Sequence, residues 1–331
     1  MQTTTFGSSN LTVTRMGLGL AAAGRPGYIN LKHSADLKQN YDVQAMQHNA
    51  FAVMDAAYDA GIRYYDAARS YGKAEEFLAN WLRGRQFPAL DVVVGSKWGY
   101  TYTADWQVEA EKHEIKEHSV EVLHRQWNET QEFLADYLNL YQIHSATLES
   151  GVLENPDVLN ELARLKHDGL LVGLSVSGSK QHEVIRKALD TQIDGVLLFD
   201  SVQATWNILE RSAGLALAEA HDAGMGVIIK EALANGRLTD KNNHPAFADS
   251  MRNLREQAQR LETSLDALAL AAVLAHDWAD VVLSGAATAE QLQSNVRAFD
   301  VAWDSEAEAA LVALMETPEN YWQTRANLDW N

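Results

Sequence analysis

The chain has 331 residues, 47% hydrophobic and 22% charged, a composition that suits a folded globular protein with a sizeable core. Its 27 basic and 45 acidic residues give a formal charge of −18, which argues against nucleic-acid and anionic-membrane partners, although a few local amides and cations could still hold a phosphate. There is no cysteine, so disulfides, thiolate metal sites and a cysteine nucleophile are excluded.

The opening MQTTTFGSSNLTVTRMG has no basic n-region and no long apolar stretch, and no apolar run elsewhere is long enough to span a bilayer; a soluble cytoplasmic protein is expected. Thr3 to Phe6 and Leu11 to Thr14 flank a polar turn and predict a β-hairpin. Met16 to Leu20 predicts a first buried strand, and Gly24 to Asp42 a long irregular loop. Ala45 to Asp59 has helical periodicity and stops at Gly61. Ile62 to Tyr65 predicts a strand ending at Asp66, with Tyr71 across the following loop. Ala74 to Leu82 carries Phe77, Leu78, Trp81 and Leu82 at helical spacing, and Asp91 to Ser96 a strand ending at Lys97. A second long loop is expected over Gly99 to Glu117, then a helix from His118 to Leu134 and a strand from Tyr137 to Ile143 ending at His144.

The second half repeats the rhythm. Helices are expected over Pro156–His167, Gln181–Leu189, Leu209–Ala223, Leu254–Ala275 with a break near Ser264, and Ala289–Phe299, before a Trp-rich tail. Strands near residues 18, 64, 93, 140, 174, 197, 228 and 282 make eight, each followed by a helix or a long excursion. Apolar runs of this length suit a sheet covered on both faces. With no break in composition, the expectation is one α/β domain over residues 1–331, a (β/α)₈ barrel with an N-terminal hairpin and long substrate loops; a two-domain dinucleotide-binding arrangement is the rival.

Parallel strands place their C-termini on one rim, so Asp66, Lys97 and His144 would meet there, with Tyr71 returning from its loop. Singly, each is more often a cap or a surface group than a catalyst. Together they suggest acid–base chemistry without a metal. Asp66 would keep Lys97 cationic, and that cation is expected to lower the Tyr71 phenol from its usual ~10. The phenol could then exchange a proton near neutral pH, while His144 orients a carbonyl oxygen.

GIRYYDAARSYGKAEEFL around Asp66 and Tyr71, VVVGSKWG around Lys97 and YLNLYQIHS around His144 resemble the aldo-keto reductase superfamily. VGLSVSG (172–178), VQATWNILER (202–211), GVIIKEALANGRLT (226–239) and VVLSGAATAEQLQSNVRA (281–298) follow in family order, so the resemblance covers nearly the whole chain. It implies reversible reduction of an aldehyde, ketone or sugar by hydride from a nicotinamide cofactor lying across the C-terminal rim. Tyr71 would be the general acid, tuned by Lys97 and Asp66, with His144 orienting the carbonyl. Ser175 and Gln203 would hold the carboxamide, and Trp206 would stack on the nicotinamide. Lys230, Leu233 and Gly236 would border the pyrophosphate, and Gly285, Thr288, Gln291 and Asn295 the adenosine end. Family members often have Ser-Asn where this chain has Ser175-Val176, and many NADP-preferring ones have Arg near Ala287. NADP(H) is slightly favoured and NAD(H) is the alternative. Tyr28, Trp98, Trp106 and His113 in the long loops are the candidate contacts to a small carbonyl or alcohol substrate.

Two motifs are discounted. Gly17-x-Gly19-x-x-Ala22 matches a dinucleotide fingerprint, but Gly24-Arg25-Pro26-Gly27 breaks the helix it would need. His113 and His118 are five apart and do not share a helix face as a zinc-binding pair would. Two other functions compete: a Schiff-base aldolase using Lys97, and a cofactor-binding regulatory subunit resembling the channel beta subunits of the same superfamily.

Overall fold

The structure is a computed structural model describing residues 1–331. In chain order, a hairpin of β1 (Thr3–Thr5) and β2 (Thr12–Thr14) precedes β3 (Met16–Gly19), α1 (His33–Asp36), α2 (Val43–Asp59), β4 (Tyr64–Asp66) and α3 (Ala74–Arg85). Then come β5 (Val93–Trp98), a second hairpin of β6 (Tyr100–Tyr102) and β7 (Glu114–Lys116), α4 (Val120–Leu134), β8 (Leu138–Ala146), α5 (Pro156–His167), β9 (Leu171–Val176) and α6 (Gln181–Leu189). The chain ends with β10 (Gln192–Ile193), β11 (Val196–Leu197), β12 (Ser201–Thr205), α7 (Gly214–Asp222), β13 (Gly226–Lys230), α8 (Ala248–Arg260), α9 (Leu265–Leu274), β14 (Val281–Ser284), α10 (Ala289–Val296), α11 (Ser305–Val312) and α12 (Pro318–Ala326). Strands β3, β4, β5, β8, β9, β12, β13 and β14 close into a parallel barrel in that order, with β14 pairing back onto β3.

Outward-facing barrel residues such as Val94, Tyr141, Val172, Val202 and Val227 join the helices in one large core. Tyr64, Val93, Leu140, Ile228, Val281 and Leu283 form a separate apolar cluster with Phe6 and Val13, so the N-terminal hairpin plugs the lower end. Gly226 makes room for that plug: a Cβ there would lie 2.4 Å from the Phe6 ring. With the bottom sealed, the open end of the barrel is the C-terminal rim. No helix is long and apolar enough to cross a membrane.

Four expectations need correction. The sixth barrel strand is Ser201–Thr205, not the run near 197; Asp194 and Gly195 both have positive φ (51° and 76°) and fold 192–197 into a tiny hairpin with Val196 exposed. The seventh helix starts at Gly214 rather than Leu209, because the Asn207 side chain accepts from the backbone N–H groups of Leu209 (2.9 Å) and Glu210 (3.0 Å) and holds a turn instead. The stretch 99–117 contains the β6–β7 hairpin rather than loop throughout. The Trp-rich tail contains two helices, α11 and α12, capped by Asp304 and Thr317 side chains.

Candidate active site

Asp66 closes β4, and Lys97 lies one residue from the end of neighbouring β5. The Lys97 ammonium donates to the Asp66 carboxylate and, at 2.9 Å, to the Ala67 carbonyl; both side chains of the ion pair are almost wholly enclosed. Gln203 on β12 crosses the barrel mouth and donates to the other Asp66 oxygen at 2.9 Å. Asp66 is thereby fixed from two sides and has no freedom to act as a mobile base.

Tyr71 is set by the backbone beneath it. Lys73 N–H donates to Gly24 C=O (2.8 Å), and the Arg25 guanidinium donates to Ser70 C=O (2.9 Å). Gly24 packs so closely that an added Cβ would fall 2.4 Å from the Tyr71 carbonyl oxygen. We expect Gly24→Ala to push the Tyr71 loop outward and lower turnover more than it lowers the melting temperature, measured on the same preparation. Lys97 Nζ lies 4.9 Å from the Tyr71 ring centroid and the Arg25 guanidinium carbon 5.2 Å.

His144 reaches the same point through an irregularity. The β8–β9 register breaks between Ile143 and Ala146, and Ser145 has φ 53°, held by its N–H donating to Ser175 Oγ at 2.8 Å. That kink re-aims the strand end at the rim. The His144 ring meets Tyr71 edge-on at 5.4 Å between centroids, and its Nδ1 is 3.4 Å from Ser70 Oγ. His118 Nε2 donates to the His144 carbonyl at 2.9 Å and fixes the segment from below. Burial, followed by the charges of Lys97 and Lys230, pulls His144 well below its ordinary value, so the imidazole is neutral.

The phenol shifts opposite to the expectation of a lowered pKa. Burial, then the Asp66 charge, pushes Tyr71 up, with Arg25 opposing. The cations nearest the ring, Arg25 and the Asp66-paired Lys97, do not outweigh burial. Tyr71 is therefore a neutral donor at rest.

Asp66, Tyr71 and His144 open onto a cavity of about 760 Å³ that continues past β13 and β14 to the start of α10. The model of the Aldo/keto reductase family matches residues 17–316. The chain belongs to the aldo/keto reductase family. It is 23% identical over 316 residues to the oxidoreductase YqkF of Bacillus subtilis, covering 88% of this chain and 89% of that one. It is 25% identical over 340 residues to the NADH-specific methylglyoxal reductase of Escherichia coli, covering 94% and 97%. Its fold matches the aldo-keto reductase AKR11C1 of Bacillus halodurans, solved in its holo form, with a TM-score of 0.73 at 22% identity, over 96% of this chain and 97% of that one.

In this aldo/keto reductase the other expected residues divide into two groups. Gln203, Lys230, Leu233, Gly236, Gly285, Gln291 and Asn295 line the cavity, as does Tyr28. Ser175 lies just behind the wall and is occupied by Ser145, while Ser177 lines the cavity. Thr288 serves as the α10 cap, accepting from Gln291 N–H at 3.3 Å.

The aromatic candidates face elsewhere. Trp206, expected over the nicotinamide, packs against His276 and Trp278 (4.6 and 5.7 Å between centroids), outside the cavity, because it falls past the end of β12 where the chain turns away. Trp98 is fully buried and meets His118 edge-on. Trp106 donates to Tyr41 C=O and packs on Phe77. His113 stacks on Trp330 at 4.0 Å. None of the last three lines the cavity.

The residues in their place come from segments without periodicity. Arg25 sits between Tyr28, Tyr71 and Trp330 and pairs with Glu114 at 2.9 Å. Tyr28 and Asn331 exchange backbone hydrogen bonds at 3.2 Å, which brings Trp330 over the rim. On the opposite wall Arg325 pairs with Glu231. Burial alone would raise Glu231, but Arg325 and Lys230 overcome it and bring it down to about 2. Lys230 has a hydrogen bond to Thr205 Oγ1 (2.9 Å) and no carboxylate within ion-pair distance; burial brings it down to about 8. An elongated cavity with this uncompensated amine in its wall fits a dinucleotide phosphate.

Proposed function

We propose that this aldo/keto reductase interconverts a small aldehyde, ketone or sugar with its alcohol, using Tyr71 as general acid and base. The observation that carries the reading is the meeting of the Tyr71 phenol, the enclosed Lys97–Asp66 pair and the neutral His144 ring at the end of a cavity of about 760 Å³ whose lining reaches α10. A nicotinamide cofactor would supply the hydride. Gln203, Ser177 and Lys230 would hold its near half, and Leu233, Gly236, Gly285, Gln291 and Asn295 the remainder.

The chain's own part is to hold the carbonyl and move one proton. If the Ser70 hydroxyl donates to Nδ1 of His144, the ring proton stays on Nε2, free to bond the carbonyl oxygen. As negative charge builds on that oxygen, the Tyr71 hydroxyl gives up its proton to it. The resulting phenolate would lie near Lys97 and Arg25, whose positive charges offset part of the cost of forming it. In the oxidative direction the same phenolate takes the alcohol proton. Neither competing function draws support from the geometry: Lys97 is enclosed by Asp66 and Ala67, out of reach of a substrate carbonyl, and Asp66, Tyr71, Lys97 and His144 lie together as the reductase reading requires.

The test is loss of nicotinamide absorbance with a panel of aldehydes, ketones and sugars. Absence of turnover over the whole panel, despite cofactor binding, would favour the regulatory reading. The pH profile adds a second check. The acid form of a group raised above its ordinary value persists to higher pH, so, with cofactor saturating to keep the Lys230 titration near 8 out of the profile, reductive kcat/KM should be level from about pH 7 to 9, with no inflection near the ordinary histidine value. A titration there would place Tyr71 or His144 in a wetter environment than the one seen.

A further inference from the structure

If the hydride is delivered beside Tyr71, a dinucleotide in this cavity must place its adenosine at the opposite end, where the loops after β13 and β14 meet α9 and α10. That end differs in charge from the catalytic end. Asp266, in the first turn of α9, and Glu290, in the first turn of α10, both line it, and α10 has no basic residue in its first turn.

The start of α10 is where a phosphate would be drawn, since helix N-terminal amides and the helix dipole favour anions. Here two of the donors are already used. The Ala287 N–H donates to Gln291 Oε1 (2.9 Å), and the Gln291 N–H donates to Thr288 Oγ1 (3.3 Å). Glu290 lies exposed in this same first turn, and its own backbone N–H and the Thr288 hydroxyl draw its carboxyl below the ordinary value. The helix start thus already carries a carboxylate of the protein.

Behind it, the Asn295 amide donates to Asp266 Oδ2 (2.9 Å) and accepts from Ser284 Oγ (2.8 Å), which leaves Asp266 oriented and able to accept further hydrogen bonds. Of the two lysines lining this end, Lys241 is paired with Asp36 and Lys32 is exposed with no carboxylate partner, while Lys38, outside the lining, acts on Glu290 only as a minor attraction.

We propose that this end selects the dinucleotide without a 2′-phosphate, NAD(H), over NADP(H), with Asp266 accepting from the ribose hydroxyls and Glu290 keeping the helix start closed to phosphate. A carboxylate on the ribose hydroxyl is the device by which other dinucleotide sites make this choice, and a basic side chain is the device for the reverse. The inference rests on the reading that this cavity binds a nicotinamide dinucleotide.

The test measures binding rather than turnover: quenching of tryptophan fluorescence by NADH and NADPH, with 5′-AMP and adenosine 2′,5′-bisphosphate as fragment probes. NADH should bind roughly tenfold or more tightly than NADPH, and the deficit of NADPH should shrink as salt screens the carboxylates. Asp266→Asn combined with Glu290→Gln should narrow the ratio by improving NADPH; both positions lie at the surface end of the cavity, outside the core. Equal or tighter binding of NADPH overturns the proposal while leaving the cofactor reading intact, and loss of that binding in Lys32→Gln would then locate the phosphate. If neither dinucleotide binds, the cofactor reading falls with it.

Discussion

Replacing Tyr71 with phenylalanine should leave the fold and nicotinamide binding in place and lower kcat by roughly 10²–10⁴-fold, the range by which a positioned acid–base group acts. The ring keeps its contacts: the edge-on meeting with His144 and the flanking positions of Arg25 and Lys97 involve carbon atoms that phenylalanine retains. The hydroxyl makes no hydrogen bond to another protein group, so its loss strands no buried partner, and stability should change little. The measurement pairs single-turnover kinetics with cofactor titration. Wild-type rates in the variant would remove Tyr71 from the chemistry. A proportional loss of cofactor affinity would instead make it a wall of the binding site.

The residues legible in the sequence were those whose position follows from strand ends. A run of four to six buried residues ending in Asp, Lys or His can be placed on a barrel rim without knowing any distance, and Asp66, Lys97 and His144 were found in that way. Arg25, Glu114, Trp330 and Arg325 carry no such mark. They lie in loops and a terminal segment, and meet only because Tyr28 pairs with Asn331 and the 99–117 stretch folds into a hairpin. The aromatic candidates erred for a different reason. A tryptophan is equally at home in a core and beside a substrate, and its spacing does not tell the two apart; Trp98, Trp106 and Trp206 are all packing residues.

The direction of the Tyr71 shift erred on physical grounds. The sequence showed a cation near a phenol and gave no measure of burial, so the attraction was counted without the cost of charging a group out of water. The corrected direction changes how the site works. A phenol that resists ionisation is a poor base in the free protein and a persistent acid. Cations around the ring are then needed once the proton has gone, more than before it leaves. In the proposed mechanism Arg25 and Lys97, 5.2 and 4.9 Å from the ring centroid, would serve that step.

Lys97→Met should have the largest effect on stability as well as on rate. The ammonium and the Asp66 carboxylate are both buried, at 0% and 2% exposure, and removing one partner of such a pair costs about 3–5 kcal/mol because the other charge is left unanswered. Gln203 would still donate to one Asp66 oxygen, but a neutral amide cannot replace the lost charge. The second substitution separates the two roles. Adding Asp66→Asn removes the stranded carboxylate and should restore much of the lost stability, read as a recovered melting temperature. It should not restore activity, since the phenolate formed on proton transfer would have lost one of the two cations near its ring. If Lys97→Met alone melts like the wild type, the pair is not buried as described. If the double variant turns over normally, Lys97 has no part in the proton transfer, and Arg25 alone supports the phenolate.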